Sequence, residues 1–76
     1  MNKTQLSIAA LKVADLTPRQ TETLVHIAEG RTHLDIADRM KIGMKTVSYH
    51  VDRVHRKLNC NSIALLARIA ERAGLV

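Results

Sequence analysis

The chain has almost no aromatic residues: Tyr49 stands alone among 76 positions, with neither phenylalanine nor tryptophan. A core must then come from Leu, Ile, Val, Ala and Met, which favours packed helices over a sheet. Cysteine is equally scarce. Cys60 has no second thiol to pair with, which excludes an intramolecular disulfide and fits a reducing compartment. There is no CxxC pair, and the histidines do not cluster. His50 and His55 lie five apart and diverge around one helix, while His26 and His33 fall in other segments. Neither a metal site nor a cofactor is expected. Long apolar runs are missing too: none approaches the ~20 residues of a membrane span. The opening MNKTQLSIAALKVAD lacks the continuous apolar stretch and small-residue cleavage site of a secretory signal. Clustered Ser, His and Asp or paired carboxylates are also absent, so no catalytic constellation is expected and the chain is not read as an enzyme.

What remains is short and basic. Seventy-six residues suit one small domain, with no room for a separate sensing or catalytic module. The formal charge of +5 is unevenly spread. Residues 1–30 balance Lys3, Lys12 and Arg19 against Asp15, Glu22 and Glu29. Residues 31–57 carry Arg31, Arg39, Lys41, Lys45, Arg53, Arg56 and Lys57 against Asp35, Asp38 and Asp52, so most of the excess gathers there. A concentrated positive potential of this kind suits a polyanion.

Helix punctuation divides the chain closely. Leu6, Ala9, Ala10 and Val13 recur at helical spacing after Thr4, a candidate N-cap, so residues 1–15 are expected to form an arm or a short extra helix. Thr17-Pro18-Arg19-Gln20 reads as a capping box with proline at the first helical position; Leu24, Ile27 and Ala28 supply the apolar stripe, and Gly30 the left-handed stop. Thr32 and Asp35 read as a second capping box, opening a short helix that buries Ile36, Ala37 and Met40. Lys41-Ile42-Gly43 is then a brief connection, with Ile42 plugging the core and Gly43 supplying the freedom for a sharp turn. Ser62 is expected to cap a last helix running to about Arg72, closed by Gly74.

The segment between these elements is the most informative. In MKTVSYHVDRVHRKL, residues 44–58, Val47, Val51, Val54 and Leu58 recur at i, i+4, i+7 and i+11, which assigns one stripe to a core. The other face carries Lys45, Thr46, Ser48, Tyr49, Asp52, Arg53 and Arg56, a mixture of phosphate binders and groups able to read base edges. A capped short helix, a tight turn and a basic amphipathic helix make the sequence form of a helix-turn-helix, whose second helix enters the DNA major groove.

LTPRQTETLVHIAEG, the IADRM core, KTVSYH, RKL and the terminal AGLV together resemble the DNA-binding domain of LuxR-type (FixJ-type, GerE-like) bacterial transcription regulators, over residues 16–76 without a gap. The resemblance implies an all-α, tetrahelical bundle, double-stranded DNA as partner and a third helix that reads it. It implies a homodimer formed through the last helix, a cytoplasmic, nucleoid-associated location, and RNA polymerase or another regulator as a further partner. The present length resembles the free-standing members. By position in the family's third-helix motif, Ser48, Tyr49 and Asp52 would read bases, while Lys45, Thr46, His50 and Lys57 would hold phosphates. Arg53, Arg56 and Thr32 join the expected phosphate contacts. Three departures stand out on this face: Asp52 is acidic, Leu34 replaces a polar or basic residue, and Arg53 stands where a small polar residue is common. A fourth lies in the last helix, where Ile63 and Leu65 stand at polar positions of the family and, with Leu66 and Ile69, exceed the stripe that one core requires. Those four are the expected dimer interface. The alternatives are that the N-terminal segment folds back over them, or that they pair with other regulators and titrate them from DNA.

Overall fold

In the computed structural model, residues 3–76 are described, with side chains from Ala9 onward. They form five helices: α1 (Lys3–Ala14), α2 (Pro18–Ala28), α3 (His33–Met40), α4 (Met44–Leu58) and α5 (Ile63–Arg72). The expected extra helix is therefore present as α1. Thr4 and Leu6, its expected cap and first apolar residue, lie outside the described side chains.

Each helix after α1 begins where a side chain can satisfy a free amide, except one. Thr17 and Gln20 form the reciprocal box, with Gln20 N donating to Thr17 Oγ1 at 3.2 Å and Thr17 N donating to Gln20 Oε1 at 3.0 Å. At α3 only half of the expected box exists. Asp35 N donates to Thr32 Oγ1, but the Asp35 carboxylate turns along the helix and accepts from Arg39 Nε at 3.2 Å, with Arg31 Nε 3.7 Å away. Two arginines within reach outcompete one backbone amide. Ser62 caps α5 through Leu65 N as expected. Helix α4 has Gly43 as its N-cap and no side-chain cap, so its first amides point outward unpaired by any side chain.

Helices α2 to α5 share one way of ending. A left-handed residue stands at Gly30, Lys41, Asn59 and Gly74, and the next amide reaches back to a carbonyl of the last turn: Arg31 to His26, Ile42 to Ala37, Cys60 to His55 and Leu75 to Ala70. Ile42, Cys60 and Leu75, which directly follow three of these residues, pack against the core. The α3–α4 turn does not use the conformational freedom of Gly43 that its sequence suggests. Gly43 sits at φ −76°, ψ 161°, ordinary extended backbone, and the left-handed position is filled by Lys41 at φ 57°. Its side chain projects into solvent, and the anchored Ile42 beyond it holds the turn.

The core is aliphatic. Leu24, Ile36, Val47, Val54, Leu58 and Leu66 are completely inaccessible to solvent, joined by Ile27, Ala37, Met40, Val51 and Ala70. Burying each Val, Leu or Ile side chain contributes roughly 1.5–3 kcal/mol. Helix α2 lies against α4 and α5, α3 against α4, and α1 against α5 and α4. One buried polar group was not anticipated: the Thr23 hydroxyl is sealed between α2 and α3, donating to Arg19 O at 2.9 Å with Met40 Sδ at 3.6 Å.

The glycines separate cleanly by experiment. Gly43→Ala, at an extended φ with nothing within 4 Å of a Cβ, should be neutral or stabilising by up to about 1 kcal/mol in urea unfolding. Gly30→Ala, at φ +83°, should destabilise by about 1 kcal/mol or more.

Candidate nucleic-acid interface

The seating of α4 decides which side chains face outward. Val47, Val51, Val54 and Leu58 are buried as the spacing predicted. Lys45, Thr46, Ser48, Tyr49, Asp52, Arg53 and Arg56 are therefore all exposed, along one side of the helix.

This face is partly ordered by its own contacts. The Arg53 guanidinium carbon lies 5.1 Å from the centre of the Tyr49 ring, a cation–π arrangement. Tyr49 also meets His50 edge-on, with ring centroids 5.7 Å apart. The aromatic ring is thus flanked on the surface and still half exposed. Arg56 Nε lies 2.9 Å from Asp52 Oδ2, one turn apart. Both side chains are well exposed, so the pair is worth at most about 0.5 kcal/mol and opens easily.

Other expected contacts are differently placed. His50 is half-buried, and its Nδ1 is inaccessible with no hydrogen-bond partner among the described residues, which leaves Nε2 as the nitrogen with any outward role. Lys57, expected to hold phosphate, donates instead to Asp15 O at 3.0 Å, tying the end of α4 to the α1–α2 junction. The Thr32 hydroxyl accepts from Asp35 N and keeps its own proton to donate.

The positive surplus is smaller at the surface than in the sequence. Arg31 pairs with Glu29 at 2.7 Å and approaches Asp35, Arg39 pairs with Asp35, and Arg56 with Asp52. Among the lysines and arginines of the turn and α4, Lys41, Lys45, Arg53 and Lys57 have no carboxylate partner among the described residues, and of these Lys57 is engaged by the Asp15 carbonyl. Lys41, exposed at the left-handed position of the turn, adds a cation to those expected on α4.

On α5 the four expected interface residues divide. Ile63 and Leu65 are 59% and 46% exposed, on different sides of the helix. Leu66 is completely buried in the chain's own core, which removes it from any external interface, and Ile69 is half-buried against that core. Leu66 and Ala70, four apart, share the inward face, whereas Leu65 lies about 100° round the axis from Leu66 and Ile63 stands at the open first turn of the helix, so both stay exposed. Helix α1 does lie against α5, yet it leaves both of those side chains open.

A short helix, a three-residue turn and a longer helix seated by a single aliphatic stripe define a helix-turn-helix protein. The chain belongs to the luxR family of bacterial regulatory proteins, whose GerE family model matches residues 14–70. Among curated relatives, it is 37% identical over 67 residues to the transcriptional regulatory protein LiaR of Bacillus subtilis, covering 88% of this chain and 32% of LiaR. It is 36% identical over 63 residues to the Bordetella pertussis protein BvgA, named as a virulence-factor transcription regulator, covering 83% of this chain and 30% of BvgA. It is 34% identical over 61 residues to the DNA-binding transcriptional activator EvgA of Escherichia coli K12, covering 80% of this chain and 30% of EvgA. The chain thus spans about a third of the length of these relatives.

Stability and surface chemistry are separable in this arrangement. Tyr49→Ala should change the unfolding free energy by no more than about 0.5 kcal/mol, whereas Leu66→Ala should cost about 2–5 kcal/mol, both read by urea denaturation.

Proposed function

We propose that the chain is a sequence-specific, double-stranded DNA-binding module that regulates transcription as a homodimer, with α4 in the major groove. The observation that carries this reading is the outward face of α4, polar along its length and covered by no other described element. The names of its relatives, which include transcription regulators and a DNA-binding activator, support the same class.

In this reading Lys41, Lys45 and Arg53, with Thr32 and Thr46, hold phosphates and set the register, while Ser48, Tyr49 and Asp52 meet base edges. An acid on this face would ordinarily be repelled by phosphate. The loose Asp52–Arg56 pair offsets that repulsion, and on contact Arg56 can turn to a phosphate while Asp52 accepts from a cytosine N4 amine. The ring of Tyr49, supported by Arg53, offers an apolar surface to a thymine methyl. Exposed Ile63 and Leu65 on α5 favour pairing of two copies, which would place half-sites about one helical turn apart. The same two side chains also suit a rival in which the module pairs with other regulators and withdraws them from promoters.

Titration of a randomised duplex pool, followed by anisotropy on an enriched duplex, tests the DNA reading. With Lys41, Lys45, Arg53 and the released Arg56 on phosphates in each protomer, a dimer should show a log-log salt slope of about −7, at roughly −0.9 per phosphate neutralised. Binding that ignores salt, or no enrichment at all, would contradict it. For the dimer, sedimentation of the full chain should show self-association that the double variant Ile63→Ser, Leu65→Ser abolishes while the fold remains intact. A wild-type chain that stays monomeric on its enriched duplex would sink that part.

A further inference from the structure

We infer that Met44 is a specificity-determining residue that selects thymine through its C5-methyl group, an inference resting on the placement of α4 proposed above. Met44 is the first residue of α4, and it is 47% exposed although it carries a long apolar side chain. The residue before it is Gly43, which has no side chain to shield it and makes no capping hydrogen bond. One turn further along the same side stands Ser48, and Lys45 is its neighbour, so a groove that admits either of these also meets Met44.

The surroundings point the same way. Between α3 and the turn runs a shallow groove of about 440 Å³, lined by Leu34, Ala37, Ile42 and Met44 together with Asp38 and Lys41. Leu34, also strongly exposed, extends the apolar lining from α3. Met44 is thus the apolar edge of an otherwise polar face. Its thioether is at best a weak acceptor and donates nothing, so it has little to offer a phosphate or a base amine. In the major groove the apolar group that a base pair presents is the thymine methyl, which an unbranched, adaptable methionine can cover. Met44 therefore favours a thymine in the step beside the pair met by Ser48, and disfavours the same position stripped of its methyl.

The full chain is tested on a duplex enriched from a randomised pool, with each thymine replaced in turn by deoxyuridine, which differs only by the methyl. Wild type should lose about three- to fivefold in affinity at the thymine beside the pair met by Ser48 in each half-site, the worth of one buried methyl and separate from any thymine met by Tyr49. Met44→Ala should bind that duplex and its deoxyuridine counterpart equally, and Met44→Leu should keep the preference. A loss at that thymine that persists in Met44→Ala assigns its methyl to another residue and overturns the inference. So does wild-type indifference at every thymine, while leaving the DNA reading intact. A pool that yields no enriched duplex removes both.

Discussion

Four branched aliphatic side chains, Val47, Val51, Val54 and Leu58, hold α4 in one rotational setting, and everything on its outer side follows from that setting. Advancing the buried stripe by a single residue would turn the helix about 100° and carry Ser48 and Asp52 towards the core. Such a shift would strand an unpaired carboxylate among aliphatic atoms, so the polar residues enforce the register as much as the valines do. With no aromatic ring available to fill gaps, this seating depends on the complementary bulk of Leu24, Ile36 and Leu66, all without solvent access. Their packing is consequently part of what places Tyr49 and Asp52 at the surface.

The direction in which α4 leaves the bundle depends on a different device. At the end of α3 the chain enters the left-handed region at Lys41, a conformation that costs a residue with a Cβ about 1–2 kcal/mol. Ile42 offsets that cost by giving its amide to Ala37 and its side chain to the core. Asn59 and Cys60 repeat the arrangement at the other end of α4, and there the Cys60 carbonyl also accepts from His55 Nδ1 at 2.7 Å. The single cysteine is therefore a plug at a helix end. Both termini of α4 are anchored to the same aliphatic mass that seats its middle.

Much of this was legible in the sequence because period and capping are local. The boundaries of α2 to α5 follow from Thr17, Thr32, Ser62 and the glycines at 30 and 74, and the α4 stripe from its spacing. What was not legible depends on choices among competing partners. Asp35 could serve the backbone or an arginine, and only the approach of Arg31 and Arg39 decides it. Lys57 could face a phosphate or a carbonyl, and the carbonyl belongs to Asp15, 42 residues away in sequence. Leu66 and Leu65 are alike in type, and only the direction of α5 against α2 tells which is core. The left-handed Lys41 was hidden behind Gly43, since a glycine nearby is the more obvious candidate for an unusual backbone.

These competing partners also shape the electrostatics. Had all seven cations between Arg31 and Lys57 been unpaired, a diffuse attraction to any polyanion would have dominated. Instead Glu29 and Asp35 engage Arg31 and Arg39 on the α3 side, and Asp52 engages Arg56, so the unpaired cations of the outer face narrow to Lys41 in the turn and Lys45 and Arg53 on α4. Weak non-specific attraction makes contacts that depend on base identity a larger fraction of the total free energy. The acid on the outer face is then no defect of a basic helix. Its exposed pair with Arg56, worth at most about 0.5 kcal/mol, offsets part of the repulsion between the carboxylate and a polyanion while leaving both side chains free to part.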